Sequence, residues 1–442
     1  LKIKRSHKEP LNSTYIIPRA KHCISKTDIS NNALKVLNRL ISAGFQAYLV
    51  GGSVRDLLLH KAPKDFDVAT NATPNEIKNL FRNGRIIGRR FKLVHILFHR
   101  EIIEVATFRG HETVDVNQQT NERGMLVRDN SYGSLDEDAW RRDFTINSLY
   151  YNVDDSSIID FTGGVEDVQQ KLIRMIGDPL TRYTEDPVRM LRAIRFSAKL
   201  HFNLAPDTAA PFPEVSQLIT HVSNSRLFDE ITKLYQCGEA ETVQKLLVQY
   251  GLFEHLCTST SALLKSEHHV NALIGIALEN TDIRIRDAKP VTPAFIFAVL
   301  LWFPMVEQAK KLQESGLDPL PAIEKAMSIV IAEQNKIISI PKRYTQVIRE
   351  IWLLQYRFGK RFGGRAFNLL QHPRFRAAYD FMAIRALAGD EAMEIAQWWT
   401  SFQEVDEEEQ HKMVAALTPP PSAQKPKRRR KPKPPVAPLP LD

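Results

Sequence analysis

Cysteine is scarce in this chain. Its three cysteines, Cys23, Cys237 and Cys257, lie far apart, and no CxxC pair or His/Cys cluster accompanies them. That spacing suggests neither a disulfide framework nor a zinc site. Long apolar runs are missing too, so no membrane span is expected. The opening LKIKRSHKEP holds no apolar stretch that could act as a signal peptide, which makes a cytoplasmic protein the expectation. No fixed-period repeat is evident, which argues against a solenoid.

What is present is length and basic charge. With 442 residues, 43% of them hydrophobic, the chain can build two or three domains with sizeable cores. Its net charge is +9, and most of the excess lies in the final TPPPSAQKPKRRRKPKPPVAPLPLD. There Lys425, Lys427, Arg428, Arg429, Arg430, Lys431 and Lys433 face a single acid, Asp442. This segment is Pro-rich and lacks apolar periodicity, so a disordered tail is expected. Such a tail either attracts phosphate backbones with little sequence preference or serves solubility.

The fold class expected is an α+β N-terminal head, with a mixed sheet and helices, followed by an all-α body and the disordered basic tail. Residues 1–28 read as a poorly ordered extension. The fold is expected to begin near Asp28, ahead of the helical pattern Ala33, Leu34, Val36, Leu37, Leu40, Ile41, which Gly44 stops. The division this predicts is an extension over 1–28, the head over 29–175, a helical neck over 176–240 and a helical body over 241–403. Residues 404–442 then hold the acidic run Glu404 to Glu409 and the basic tail.

Three features of the head carry chemistry. Ala47-Tyr48-Leu49-Val50 reads as a buried strand, and Gly51-Gly52-Ser53 leads from it into a helix starting at Val54. A strand, a Gly-Gly turn and a helix N-terminus make an anion site, because the backbone can approach a phosphate with free N–H groups. Ser53 adds a hydroxyl and Arg55 a charge; the alternative is an ordinary strand-to-helix turn.

Next, Lys64-Asp65-Phe66-Asp67-Val68-Ala69-Thr70 reads as a strand whose alternation puts Asp65 and Asp67 on one face. Two adjacent carboxylates repel unless a cation lies between them, so Asp65 and Asp67 suit Mg²⁺, the usual partner of phosphate chemistry. Two such ions could activate an attacking hydroxyl and hold a leaving pyrophosphate. The alternative is a pair of surface acids at a strand edge. Thr73-Pro74-Asn75-Glu76 is a capping box that starts a helix directly afterwards. The strand candidate Glu101–Arg109 could bring Glu104 beside the aspartates as a third carboxylate, or leave it as a strand-edge charge.

Gly51-Gly52-Ser53-Val54-Arg55-Asp56 followed by Asp65-Phe66-Asp67 resembles the polymerase-β-type nucleotidyltransferase superfamily, in the subgroup of bacterial poly(A) polymerases and class II CCA-adding enzymes. Arg141-Arg142-Asp143-Phe144-Thr145-Ile146-Asn147 is similar to that family's RRDFTIN segment, and Glu185-Asp186-Pro187-Val188-Arg189-Met190-Leu191-Arg192 to its EDPxRxLR helix. Within the subgroup, Ile87-Gly88-Arg89-Arg90-Phe91-Lys92-Leu93-Val94-His95 and Ile340-Pro341-Lys342-Arg343 resemble the poly(A) polymerase branch. One departure is His60, where the family usually carries glycine.

The resemblance implies template-independent addition of AMP from ATP to RNA 3′ ends, with two Mg²⁺ ions, serving RNA decay and processing. The alternatives are tRNA CCA or A addition, and a catalytically silent RNA-binding protein. It implies catalytic roles for Asp65, Asp67 and Asp143. It implies triphosphate contacts at Gly51, Gly52 and Arg55, and nucleotide contacts at Arg142 and Asn147. Asp186 and Arg189 match the pair that reads the base edge. They open a helix on which Arg189, Arg192, Arg195 and Lys199 form a basic stripe. The neck would then bind nucleotide and RNA, with RNA-decay or RNA-chaperone proteins as further partners.

Overall fold

The computed structural model describes residues 15–88, 92–110, 119–120, 126–128, 131–265 and 268–417. Arg89 to Phe91 and the basic tail, both singled out in the sequence, lie outside them. The chain separates into two compact units, residues 1–345 and 346–442. Among the described residues, no helix is long and apolar enough to cross a membrane.

The first unit opens with an eight-stranded sheet. Its strands are β1 (Tyr15–Ile17), β2 (Ala47–Val50), β3 (Asp67–Thr70), β4 (Gly84–Ile87), β5 (Leu93–Phe98) and β6 (Glu101–Thr107). A separate short hairpin, β7 (Gln119–Thr120) and β8 (Leu126–Arg128), comes before β9 (Leu149–Tyr151) and β10 (Ile158–Asp160), which return to the main sheet. The spatial order is β1-β10-β9-β2-β3-β6-β5-β4. Neighbours are antiparallel except β3 and β6, which run parallel.

Helix α1 (Asn31–Ser42) buries Ala33, Val36, Leu37 and Leu40 along one stripe, the i, i+3, i+4, i+7 spacing of an amphipathic helix. Its cap is Ser30, whose hydroxyl accepts from the Ala33 N–H; Asp28 instead closes a capping box with Ser25 one turn earlier. Gly44 ends the helix at φ 87°, as expected. After β2, the backbone turns through Gly51 into α2 (Gly52–Leu58), and the helix α3 (Pro74–Leu80) follows β3 with its Thr73–Glu76 capping box formed.

Two expectations need correction. The extension over 1–28 is part of the fold from residue 15: β1 pairs with β10, and the His22 ring bonds the Ser156 carbonyl at 2.8 Å. Strand β10 would otherwise leave unpaired amides and carbonyls along its edge. The strand expected over 64–70 is shorter. It begins at Asp67, so Asp65 stands in the bend before it rather than on its pleat.

Beyond the sheet come α4 (Leu135–Arg141), α5 (Gly164–Gln170), α6 (Pro179–Glu185) and α7 (Val188–Leu200), then helices almost without interruption to residue 345. Ala139 of α4 packs with Val50, Ala69, Phe108 and Tyr150 on one sheet face, the face that also carries Asp67. The second unit begins inside the helix Lys342–Phe358, and the secondary structure of its described residues is helical. Phe358, Phe375, Met382, Trp399 and Phe402 form its core, and the Trp399 indole donates to the Phe358 carbonyl. The acidic run Glu404 to Glu409 mostly opens a helix, Glu407–Ala415. Asp406 caps it and three glutamates occupy its first turn, where the helix dipole favours negative charge.

Candidate active site

Strand register assembles the acidic centre. Asp67, the first residue of β3, is the direct partner of Val50 on one side and of Glu104 on the other. Glu104 in turn faces His95 on β5, with Nε2 to Oε2 at 3.4 Å. Directly paired residues share a sheet face, so Asp67, Glu104 and His95 form one row. Burial pushes the Asp67 carboxyl up to about 6, and the charges of Glu104 and Asp65 push in the same direction, against Arg142 and His95. A carboxylate held in that state gains most from a cation.

The donor set fits a hard divalent metal. Among the described residues, no three acidic, His or Cys side chains converge into a metal cage of their own. Mg²⁺ does not need one, since it is usually bound by one or two carboxylates together with substrate phosphates and water. Asp67, with the exposed Asp65 two residues before it, supplies that number.

The cleft above this centre has a volume of about 890 Å³. Asp67, Glu104, Arg109, Asp138, Arg142, Asp143, Glu185, Asp186, Arg189, Arg192 and Arg226 line it. The structure therefore brings together Asp67, Glu104, Arg142, Asp143, Asp186, Arg189 and Arg192 from the sequence candidates. The others, Gly51, Gly52, Ser53, Arg55, Asn147 and Asp65, are not among the lining residues.

Asp143 is a bracket in this geometry. One carboxylate oxygen accepts from the Phe144 N–H at 2.8 Å and from Asn147 Nδ2 at 3.3 Å; the other is held by the Arg192 guanidinium, with Nε at 2.7 Å. Burial alone would raise its pKa, but Arg192 and these hydrogen bonds hold it below the ordinary carboxylate value. Its oxygens tie α7 to the 144–147 turn.

The Gly-Gly turn is built as expected, but its side chains face inward. Gly51 has φ 74° and ψ −127°, a conformation open to glycine, and a Cβ there would approach Arg142 Nη1 and the Asn147 carbonyl at 3.5 Å. Ser53 donates to the Val50 carbonyl at 3.1 Å. Arg55 is only 3% exposed and donates to Asn147 Oδ1 at 2.6 Å and to Asp56. A guanidinium this buried braces the turn rather than offering a loose charge. Asn147 thereby links Arg55 to Asp143.

Several residues of the site had no signal in the sequence reading. Asp138 accepts from Arg142 Nη2 at 2.9 Å and from the Tyr150 hydroxyl at 2.7 Å, which fixes Arg142 over the Tyr150 ring. The i, i+4 spacing of Asp138 and Arg142 could have revealed that pair. Arg182 donates to the Arg141 and Arg142 carbonyls, both at 2.7 Å. Glu185 receives both Arg182 and Arg189. Arg226 holds Asp186 across 40 residues of sequence. Asp186 ends α6 and accepts from the Val188 N–H at 3.3 Å, so it also serves the start of α7.

Known proteins share this architecture. Residues 47–174 match the poly A polymerase head domain, residues 201–264 the probable RNA and SrmB-binding site of polymerase A, and residues 315–434 the polymerase A arginine-rich C-terminus. The chain is 50% identical over 397 residues to poly(A) polymerase I of Salmonella typhimurium, covering 88% of this chain and 85% of that one. It is 38% identical over 224 residues to the CCA-adding enzyme of Bacillus subtilis, covering 51% of this chain and 55% of that one. Among solved structures, the CCA-adding enzyme of Bacillus stearothermophilus in complex with CTP aligns with a TM-score of 0.55 at 25% identity, over 88% of both chains.

Proposed function

The chain belongs to the poly(A) polymerase I family of nucleotidyltransferases, and from that premise we propose how its cleft adds AMP from ATP to the 3′ ends of RNA. The activity itself is ATP-dependent polyadenylation of RNA, and the family uses a divalent metal. The observation that carries the assignment is identity of 50% sustained over 88% of the chain, where the CCA-adding relative matches only about half.

In the reading proposed here, Asp65 and Asp67 hold two Mg²⁺ ions, with Glu104 as the third carboxylate of the centre. Such ions, when bound, help deprotonate the RNA 3′-hydroxyl and neutralise the departing pyrophosphate. The hydroxyl oxygen forms a bond to the α-phosphorus of ATP, the bond from that phosphorus to the bridging oxygen breaks, and pyrophosphate leaves with the electron pair. Gly51 and Gly52 let the backbone approach the triphosphate, and Arg142, anchored by Asp138 and Tyr150, offers a fixed positive charge. Asp143 and Arg192 position α7 rather than bind metal. Arg55, Ser53 and Asn147 brace the turn. Asp186 and Arg189 supply an acceptor and a donor for the base edge, as a template-free enzyme requires.

Cytoplasmic RNA decay and processing, with RNA-decay or RNA-chaperone proteins as partners, completes the proposal. The assignment is tested by incubating an unstructured RNA with the protein, Mg²⁺ and each of the four nucleoside triphosphates in turn. Long tails with ATP alone support it. Efficient extension with CTP, or addition confined to tRNA lacking its terminus, moves the chain to the CCA-adding branch.

A further inference from the structure

Trp140 is the one aromatic side chain among the described residues that line the cleft. The rest of that wall carries charged groups, many of them from α4, α6 and α7, and short apolar ones such as Val50, Val68 and Ala106. A tryptophan that serves only a core buries its ring and usually bonds its N–H. Trp140 is half-buried, and among the described residues its indole has neither a hydrogen bond nor a ring contact.

The helix beneath it explains its place. Asp138 and Ala139 form the buried side of α4, with Leu135 packed beside them. Trp140 lies one step round the helix from that stripe. Its backbone is pinned on both sides: the Ser148 hydroxyl donates to the Ala139 carbonyl at 2.9 Å, and Arg182 grips the Arg141 and Arg142 carbonyls. Ala139 packs with Val50, the strand partner of Asp67. The ring is therefore carried by a fixed element and opens on the same cleft as Asp67 and Glu104.

A template-free polymerase has two bases to place. The base of ATP must be chosen, and choice needs hydrogen bonds to its edge, the task read above for Asp186 and Arg189. The last base of the RNA must instead be held whatever its identity, because the first addition meets any sequence. Stacking suits that task. Every base has a π-face, so an aromatic ring takes all of them, with no base pair to a template strand.

We propose that Trp140 is the stacking platform for the 3′-terminal base of the RNA, holding the end of the chain with its hydroxyl toward the acidic centre without regard to sequence. This rests on the reading of the cleft as the site of RNA adenylation.

The test compares two RNAs that differ only in the last nucleotide. One carries a base there; the other is abasic but keeps the ribose and its 3′-hydroxyl. Steady-state adenylation with ATP is measured for the full chain as wild type, Trp140→Phe and Trp140→Leu. In the wild type the abasic end lowers kcat/KM for RNA about tenfold, the scale of one lost base–aromatic stack. In Trp140→Leu the two RNAs become equivalent, while Trp140→Phe keeps part of the difference. The effect falls on KM for RNA rather than on KM for ATP. Equal wild-type rates on the two RNAs would overturn the proposal without any variant, so it stays testable if Trp140→Leu does not fold. An undiminished difference in Trp140→Leu would overturn it as well. So would a rise confined to KM for ATP, which would give the ring to the base of the incoming nucleotide. If the wild type extends neither RNA with ATP, the adenylation reading itself fails and takes the platform with it.

Discussion

Asp67 and Glu104 are direct partners across the parallel pair β3–β6, at the end of β3 where the chain enters the strand. Burial and this like-charged neighbour push the Asp67 carboxyl up to about 6. Strand pairing thus places two carboxylates side by side, and their repulsion adds to the effect of burial on Asp67.

Asp67→Asn should abolish transfer, a loss on the order of a thousandfold or more for a metal-binding carboxylate. The same change should raise the thermal stability of the metal-free protein at pH 7.5. The folded pKa of Asp67 lies above its ordinary value, so its charge is a penalty at neutral pH, and the penalty is relieved as pH falls through about 6. The gain in melting temperature should therefore shrink between pH 7.5 and pH 5. A variant less stable than wild type at pH 7.5 would contradict this.

Asp143 should behave in the opposite way. Removing its carboxylate in Asp143→Ala leaves Arg192 and the Phe144 N–H without their partner, at a cost of about 2 kcal/mol after allowing for the exposure of Arg192. The depressed pKa means this stabilisation is present at neutral pH and is lost as pH falls below the usual carboxylate range. Urea unfolding at pH 7 measures the loss. Mn²⁺ affinity should change little, and a collapse of Mn²⁺ binding with stability intact would make Asp143 a ligand instead.

His60 occupies a position that asks for glycine. It has φ 56°, and helix α2 ends in a Schellman motif: the Lys61 N–H bonds the Asp56 carbonyl and the His60 N–H that of Leu57. Left-handed backbone costs a non-glycine residue about 1–2 kcal/mol, while glycine loses about 0.4–1 kcal/mol through the unfolded chain. His60→Gly should therefore stabilise the protein by about 0.5 kcal/mol, read by chemical denaturation, with adenylation unchanged.

Gly51→Ala should be costly in both respects. Its backbone conformation costs any other residue about 1–3 kcal/mol, and relaxing it displaces the turn against Arg142 and Asn147. Melting temperature should fall and KM for ATP should rise. A variant with normal KM would separate this turn from triphosphate binding.

Much of the head was legible because its signals are local. Ala47–Val50 is the strand that its apolar run announces, and Thr73 and Glu76 form the capping box their spacing requires. Glu104 lies beside Asp67, one of the two placements that the sequence left open, because β3 and β6 pair in parallel. Local reading failed where a partner is distant. Asp186 is completed by Arg226 and Asp143 by Arg192, over 40 and 49 residues of sequence. A guanidinium in a phosphate-loop motif also carries no mark of its direction, and Arg55 turns inward because Asn147 and Asp56 satisfy it there. The strand over 64–70 was read too long because alternation continues into the bend that holds Asp65.

The central claim is that the metal centre is built on Asp65 and Asp67, with Asp143 committed to Arg192. Anomalous scattering from crystals of the full chain soaked with Mn²⁺ and a non-hydrolysable ATP analogue measures this directly. The account predicts metal peaks about 2.1 Å from carboxylate oxygens of Asp65 and Asp67, with the Asp143–Arg192 pair intact. Metal on Asp143 with Arg192 displaced, or no metal within reach of Asp67, would contradict it.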